Sequence, residues 1–267
     1  MKLRIYQLDA FTDRLFGGNP AAICPLTEWL PDETMQNIAC ENNLSETAFY
    51  VPVERPDGTP GFHIRWFTPN IEVDLCGHAT LATAYVIFNL EKTAASDVIE
   101  LDSRSGILKV RRDGDWFVLD FPVDTIQKTV QPPALTASLN IKPQEIYKGK
   151  SDYLLVYENQ TDVLGLEPDM RELITVPARG VIATAPGDDV DFVSRFFGPQ
   201  SGIDEDPVTG SAHTTLAAFW AGRLGKTEFT ARQVSSREGY LKCRLLGDRV
   251  EIAGQVRLYM TGEIVVE

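Results

Sequence analysis

Gly77-His78-Ala79-Thr80-Leu81-Ala82-Thr83-Ala84-Tyr85-Val86-Ile87-Phe88-Asn89-Leu90 is rich in Ala and Leu and apolar nearly all round. A helix with no polar face must be buried on every side, and this run is too short to cross a bilayer. Gly210-Ser211-Ala212-His213-Thr214-Thr215-Leu216-Ala217-Ala218-Phe219-Trp220 reads the same way. The two starts, Gly77 and Gly210, are 133 positions apart, about half of the 267 residues. Gly106-Ile107-Leu108-Lys109 through Gly114-Asp115 recurs at the same offset as Gly239-Tyr240-Leu241-Lys242 through Gly247-Asp248. Arg65-Trp66-Phe67-Thr68-Pro69 recurs as Arg195-Phe196-Phe197-Gly198-Pro199 at an offset of 130. Self-similarity at one fixed spacing reports architecture first. It predicts two similar domains facing each other across a cleft, each built around one buried helix wrapped by strands.

Composition narrows the function classes. With 43% hydrophobic residues the chain can bury two cores of ordinary domain size. Its net charge of -13 argues against nucleic-acid and anionic-membrane partners, which require a basic footprint. The start Met1-Lys2-Leu3-Arg4-Ile5-Tyr6 runs straight into a strand pattern without a long apolar segment, so a cytoplasmic location is expected. Cys24, Cys40, Cys76 and Cys243 are widely spaced, with no C-x-x-C pair and only three histidines in the chain. Neither a zinc site nor a disulfide framework is expected from that pattern.

Patterning predicts strands over 2–9, 47–53 and 62–67, and amphipathic helices over Asp32 to Asn42 and Pro168 to Leu173. Asp113-Gly114 is a hairpin signal, and Gly247-Asp248 looks like its partner. A linker is expected near Phe121 to Pro133, where prolines interrupt the pattern. The domains are therefore expected at 1–120 and 121–257.

Each apolar helix begins with Gly and a small or polar residue. The first N–H groups of a helix have no intrahelical partner and carry the positive end of its dipole, so Gly77, Gly210 and Ser211 are candidates to bind a carboxylate through the backbone. Capping by Ser211 is the plainer alternative. Glu46, in Ser45-Glu46-Thr47, lies 133 positions before Arg179. The repeat does not preserve it, so the shared scaffold does not need it. In an apolar cleft its pKa is expected to rise by desolvation towards the value a two-way proton carrier needs. His78 and Asp206 stand beside the helix starts, whereas His63 and His213 read as structural. The run Asp204-Glu205-Asp206 lacks the spacing of a calcium loop, and no dinucleotide fingerprint or P-loop is present. No metal and no cofactor are expected.

The motifs Phe16-Gly17-Gly18-Asn19-Pro20, Asn43-Leu44-Ser45-Glu46-Thr47-Ala48-Phe49, Arg65-Trp66-Phe67-Thr68-Pro69, Cys76-Gly77-His78-Ala79-Thr80 and Glu205-Asp206-Pro207-Val208-Thr209-Gly210-Ser211-Ala212 together resemble the PhzF-like phenazine-biosynthesis isomerases. The resemblance implies an α/β (α+β) chain of the diaminopimelate-epimerase-like fold, with two pseudo-symmetric domains, each a β-barrel-like sheet around a central helix. It also implies that a last strand, about 258–267, returns to the first domain. By the same resemblance Glu46 is the general acid/base, with His78 and Asp206 in the catalytic set and Ser211 at the substrate.

The expected function is a cofactor-independent isomerase that moves a proton on a small anionic, carboxylate-bearing metabolite in the inter-domain cleft, with a homodimer as the candidate assembly. Two rivals stay open. One is an amino-acid racemase, epimerase or dehydratase acting through Cys76, although the offset partner of Cys76 is Thr209 and supplies no second thiol. The other is a non-enzymatic ligand-binding protein that retains the fold.

Overall fold

A computed structural model describes residues 1–55, 58–130 and 132–266. The chain divides into two units, Met1–Asp120 with Ala253–Glu267, and Phe121–Ile252. The first contains β1 (Lys2–Ala10), β2 (Asn19–Pro25), α1 (Asp32–Asn42), β3 (Glu46–Glu54), β4 (Pro60–Phe67), β5 (Glu72–Val73), α2 (Gly77–Tyr85), β6 (Val98–Ser103), β7 (Gly106–Asp113) and most of β8 (Trp116–Pro122). The second contains β9 (Gln127–Lys128), α3 (Pro133–Ala137), β10 (Glu145–Lys148), β11 (Asp152–Val156), α4 (Gln160–Leu164), α5 (Met170–Leu173), β12 (Gly180–Pro186), β13 (Phe192–Gly198), β14 (Ile203–Asp206), α6 (Ala212–Leu224), β15 (Glu228–Gln233), β16 (Gly239–Leu246) and most of β17 (Arg249–Gly254). The chain ends in β18 (Val256–Val265), which runs antiparallel to β1 from Ala10↔Val256 to Lys2↔Val265.

The internal repeat is a repeat of strand pairings. In the first unit β1 is antiparallel to β2, β2 parallel to β3, β3 antiparallel to β4, β4 antiparallel to β5, β4 parallel to β6, and β6 antiparallel to β7. In the second, the pairs β10–β11, β11–β12, β12–β13, β13–β14, β13–β15 and β15–β16 follow in the same order with the same senses. Even β18 on β1 has a counterpart in β9 on β10. The parallel steps need crossovers, and each helix of the repeat sits in one.

The two apolar helices are central, as their composition requires. In α2 every residue from His78 to Ala84 is buried, and the helix packs on β1, β2, β3 and β18. Its alanines let the strands approach closely, and a π-helical turn, Val86–Leu90, continues it. In α6, Trp220 stacks on Phe192 of β13 with ring centroids 5.7 Å apart, and its indole N–H donates to Thr184 Oγ1 at 3.0 Å. Separate apolar clusters lie under α1 around Met35 and Phe49, and under α3 to α5 around Tyr157 and Phe197.

Several boundaries move for identifiable reasons. α6 begins at Ala212 and runs to Leu224, where Gly225 closes it in the left-handed region at φ 65°. The expected helix at Pro168 begins at Met170, because Asp169 accepts the Arg171 N–H and caps it. Within the expected linker, Gln127–Lys128 forms β9 against β10, and Gln131 lies outside the described residues. The Asp113-Gly114 turn joins β7 to β8, with Gly114 at φ 59°. Gly18 is required twice over, by φ 63° and by a Cβ position only 2.1 Å from the Ala10 carbonyl oxygen.

Candidate active site

In the first unit three functional side chains converge. Glu46 is the first residue of β3, set in register with Ala21 of β2. Cys76 is the extended residue that caps α2, and its carbonyl accepts from Thr80 Oγ1 at 2.5 Å and Thr80 N–H at 3.1 Å. His78, in the first turn of α2, is thereby turned towards β3. Its Nε2 lies 3.1 Å from Glu46 Oε2, with only 6% and 12% of the two side chains exposed. The approach is close but off the hydrogen-bond axis, since Glu46 Oε2 is buried without an aligned donor. Cys76 Sγ lies 3.5 Å from His78 Nδ1.

The electrostatics of this cluster can be ordered. Burial pushes the Cys76 thiol up to about 11, Glu46 raises it further and His78 opposes, so the thiol is protonated at neutral pH. Burial also works against a charged His78, but the negative charge available from Cys76 and Glu46 outweighs it and raises the imidazole well above its ordinary value.

The second unit has its own constellation. Asp206 ends β14 opposite Phe196 and accepts from Thr209 Oγ1 at 2.6 Å. The fully buried Gln233 clamps this turn: its Nε2 donates to the Asp206 carbonyl at 2.7 Å and its Oε1 accepts from the Thr209 N–H at 2.8 Å. Gly210 is buried and its carbonyl accepts from the His213 N–H at 3.0 Å. Ser211 caps α6 only by position, because its side chain makes no cap hydrogen bond. Its Oγ instead accepts from Arg179 Nη1 at 3.0 Å. The other edge of that guanidinium grips buried Asp152, with Nε 2.9 Å from Oδ1 and Nη2 on Oδ2.

Arg179, Asp152 and Gln233 are the site residues that sequence reasoning missed. The signal for Arg179 was present in the repeat. Offset 133 carries Glu46 to Arg179 and His78 to Ser211, and both pairs touch, although strand register sets Glu46 against Gly180, the next residue. His63 packs edge-on to Trp29 at 5.1 Å. His213 is buried with Nδ1 2.9 Å from the Thr209 carbonyl, and burial depresses its pKa to about 4. Both placements suit structural histidines.

Known proteins agree with this architecture. Residues 8–266 match the family described as phenazine biosynthesis-like protein. A Pseudomonas aeruginosa protein named as an uncharacterized isomerase is 50% identical over 265 residues, 99% of each chain. The crystal structure of a PhzF-family phenazine biosynthesis protein from Enterococcus faecalis superposes with a TM-score of 0.94 at 44% identity, over 100% of both chains. A hydroxyproline epimerase from Agrobacterium vitis, at 9% identity and TM-score 0.60 over 98% of this chain and 92% of its own, shares the fold alone. With its paired topology, its buried helices and a family match across almost its whole length, this chain belongs to the PhzF-like phenazine-biosynthesis family.

Proposed function

We propose that this protein is an isomerase that moves a proton on a small carboxylate-bearing metabolite without a cofactor, with Glu46 as the proton carrier. The observation that carries the reading is a carboxylate held against an imidazole at 3.1 Å in a largely buried setting at a helix start. The Glu46 carboxylate takes a proton from an acidic carbon, the C–H electron pair enters the substrate's conjugated system, and the same proton is returned at another atom of that system. His78, cationic beside Glu46, and the positive end of α2 stabilise the negative charge that grows as the proton leaves. On this reading Asp206 orients the substrate's polar groups, and Gly77, Gly210 and Ser211 bind its carboxylate through backbone N–H groups. Arg179, held on Ser211, adds a fixed positive charge to the carboxylate-binding set. The reading further takes the enzyme as a cytoplasmic homodimer, which light scattering tests.

The relatives' isomerase names favour proton movement over simple ligand binding. The Cys76 rival draws support from the 3.5 Å thiol–imidazole contact, but a thiol pushed up to about 11 is a poor base at neutral pH. The deciding experiment incubates candidate cyclic and amino carboxylic acids with the protein in deuterium oxide and follows exchange at carbon by NMR. Exchange that persists in Cys76→Ala and vanishes in Glu46→Gln supports the reading. The reverse ranking assigns the chemistry to the thiol.

A further inference from the structure

We infer that Glu46, Cys76 and His78 form a binding site for a borderline-soft divalent cation of the Zn2+ class. The inference uses the same side chains as the proposed isomerase site but does not depend on the reaction assigned to it. One thiol sulfur, one imidazole nitrogen and one carboxylate oxygen lie within 4.8 Å of one another. Nε2 is 3.1 Å from Oε2 and 3.9 Å from Sγ. A tetrahedral zinc centre, with bonds near 2.3 Å to sulfur and 2.0–2.1 Å to nitrogen and oxygen, sets its ligand atoms about 3.3–3.6 Å apart. The three donors therefore reach that geometry by shifts of a few tenths of an ångström to about one ångström.

Two further features point the same way. Glu46 Oε2 is a buried oxygen that no aligned donor satisfies, and buried acceptors in that condition favour a ligand. The donors also stand on rigid elements, Cys76 and His78 at the start of α2 and Glu46 at the start of β3, so a cation finds a nearly formed site. Sulfur, nitrogen and oxygen together suit zinc and disfavour magnesium or calcium, which take oxygen ligands. Binding replaces the thiol proton by the metal and releases it to buffer, together with the imidazole proton where His78 is charged. With three protein ligands the fourth position stays open to water or a substrate oxygen.

The test uses Co2+ as a spectroscopic stand-in for Zn2+, with tag-free protein in a Cys40→Ala background, since Cys40 is the exposed thiol. Expected are a near-ultraviolet thiolate-to-Co2+ charge-transfer band, intense visible bands of a four-coordinate ion, and bleaching of both by one equivalent of Zn2+. Cys76→Ser should abolish the charge-transfer band. His78→Gln and Glu46→Gln should each weaken binding about tenfold or more, with folding checked by circular dichroism. Charge-transfer intensity that survives Cys76→Ser, or Co2+ binding equal in all three variants, overturns the site. Because these readouts need no substrate, failure here leaves the isomerase reading standing, and failure of deuterium exchange leaves the metal site standing.

Discussion

Arg65 and Arg195 hold corresponding places in the two units and do the same work. Arg65 meets Glu72 through Nε and Nη2 at 2.7 and 2.8 Å, and Arg195 meets Glu205 through the same atoms at the same distances. Each guanidinium also lies over the phenylalanine two residues on, Phe67 or Phe197. Around the helix starts the correspondence breaks. Val73, Cys76 and His78 in one unit stand against Asp206, Thr209 and Ser211 in the other, and Glu46 stands by strand register against Gly180, one residue past Arg179. The ion pair that braces each sheet repeats, whereas the residues at the helix starts do not. On the proposed reading, the acid/base residues come from one copy of the repeat and the anion-binding residues from the other.

The sharpest way to break this comparison is to remove the charged partner at each helix start, Glu46 on His78 and Arg179 on Ser211. Glu46→Gln keeps shape but cannot take up a proton, so turnover should fall by roughly two to four orders of magnitude with little change in KM. Arg179→Gln should do the opposite, raising KM about tenfold with a smaller change in turnover, because on the proposed reading it removes uniform binding of the substrate carboxylate. Steady-state kinetics on one substrate check both. Equal kcat in Glu46→Gln and wild type would end the division of labour.

The fold was legible because both buried helices advertise themselves by composition, and the hairpin glycines by turn chemistry. α1 falls at Asp32–Asn42, as its pattern predicts. The resemblance named the Glu46 and His78 positions, yet their contact was invisible, since residues 32 apart in sequence meet only through the β2–β3 register and the turn at Cys76. Gln233 was illegible for a related reason. A glutamine at a strand end carries no signal until the Asp206–Thr209 turn folds against it. The capping role open to Ser211 failed because Arg179 donates to its hydroxyl, a contact between side chains that no local pattern encodes.

The repeated ion pairs offer a second, stability-based test. Both are half-buried, so losing either arginine should destabilise the fold: Arg195→Ala strands Glu205 and should cost about 2–4 kcal/mol, whereas after Arg65→Ala Glu72 keeps Arg104 at 2.6 Å. Arg195→Ala should cost more. Its Nη1 also serves the Leu166 and Val163 carbonyls at 2.7 and 3.2 Å, whereas the extra partner of Arg65 is exposed Asp32. Urea unfolding of the two variants measures the difference, and a larger loss in Arg65→Ala would contradict this ranking.

The two buried histidines should give opposite pH signatures. The folded pKa of His78 is raised, so its contribution to stability is full below the unfolded value of about 6.5 and is lost as pH rises through the folded pKa. The folded pKa of His213 is depressed to about 4 by burial, so its contribution is full above about 6.5 and is lost as pH falls towards 4. The advantage of wild type over His78→Gln should therefore shrink with rising pH, and that over His213→Asn with falling pH. Urea midpoints across the pH range decide it, and slopes of the same sign would mean that one of the two charge states is misassigned.

The smallest effect should come from Cys76→Ala. Its thiol is buried and protonated at neutral pH, and the substitution keeps the backbone carbonyl that accepts from Thr80 Oγ1. Removing one sulfur opens a small cavity, a loss of about 1–2 kcal/mol by analogy with other large-to-small core changes, and should leave turnover within about threefold of wild type, far below the general acid/base effect expected at Glu46. The same burial predicts that iodoacetamide at pH 7 modifies exposed Cys40 and spares Cys76, a pattern that peptide mass mapping resolves. Rapid alkylation of Cys76 with matching loss of deuterium exchange would transfer the acid/base role from Glu46 to the thiol, whose place in the other copy of the repeat is taken by Thr209.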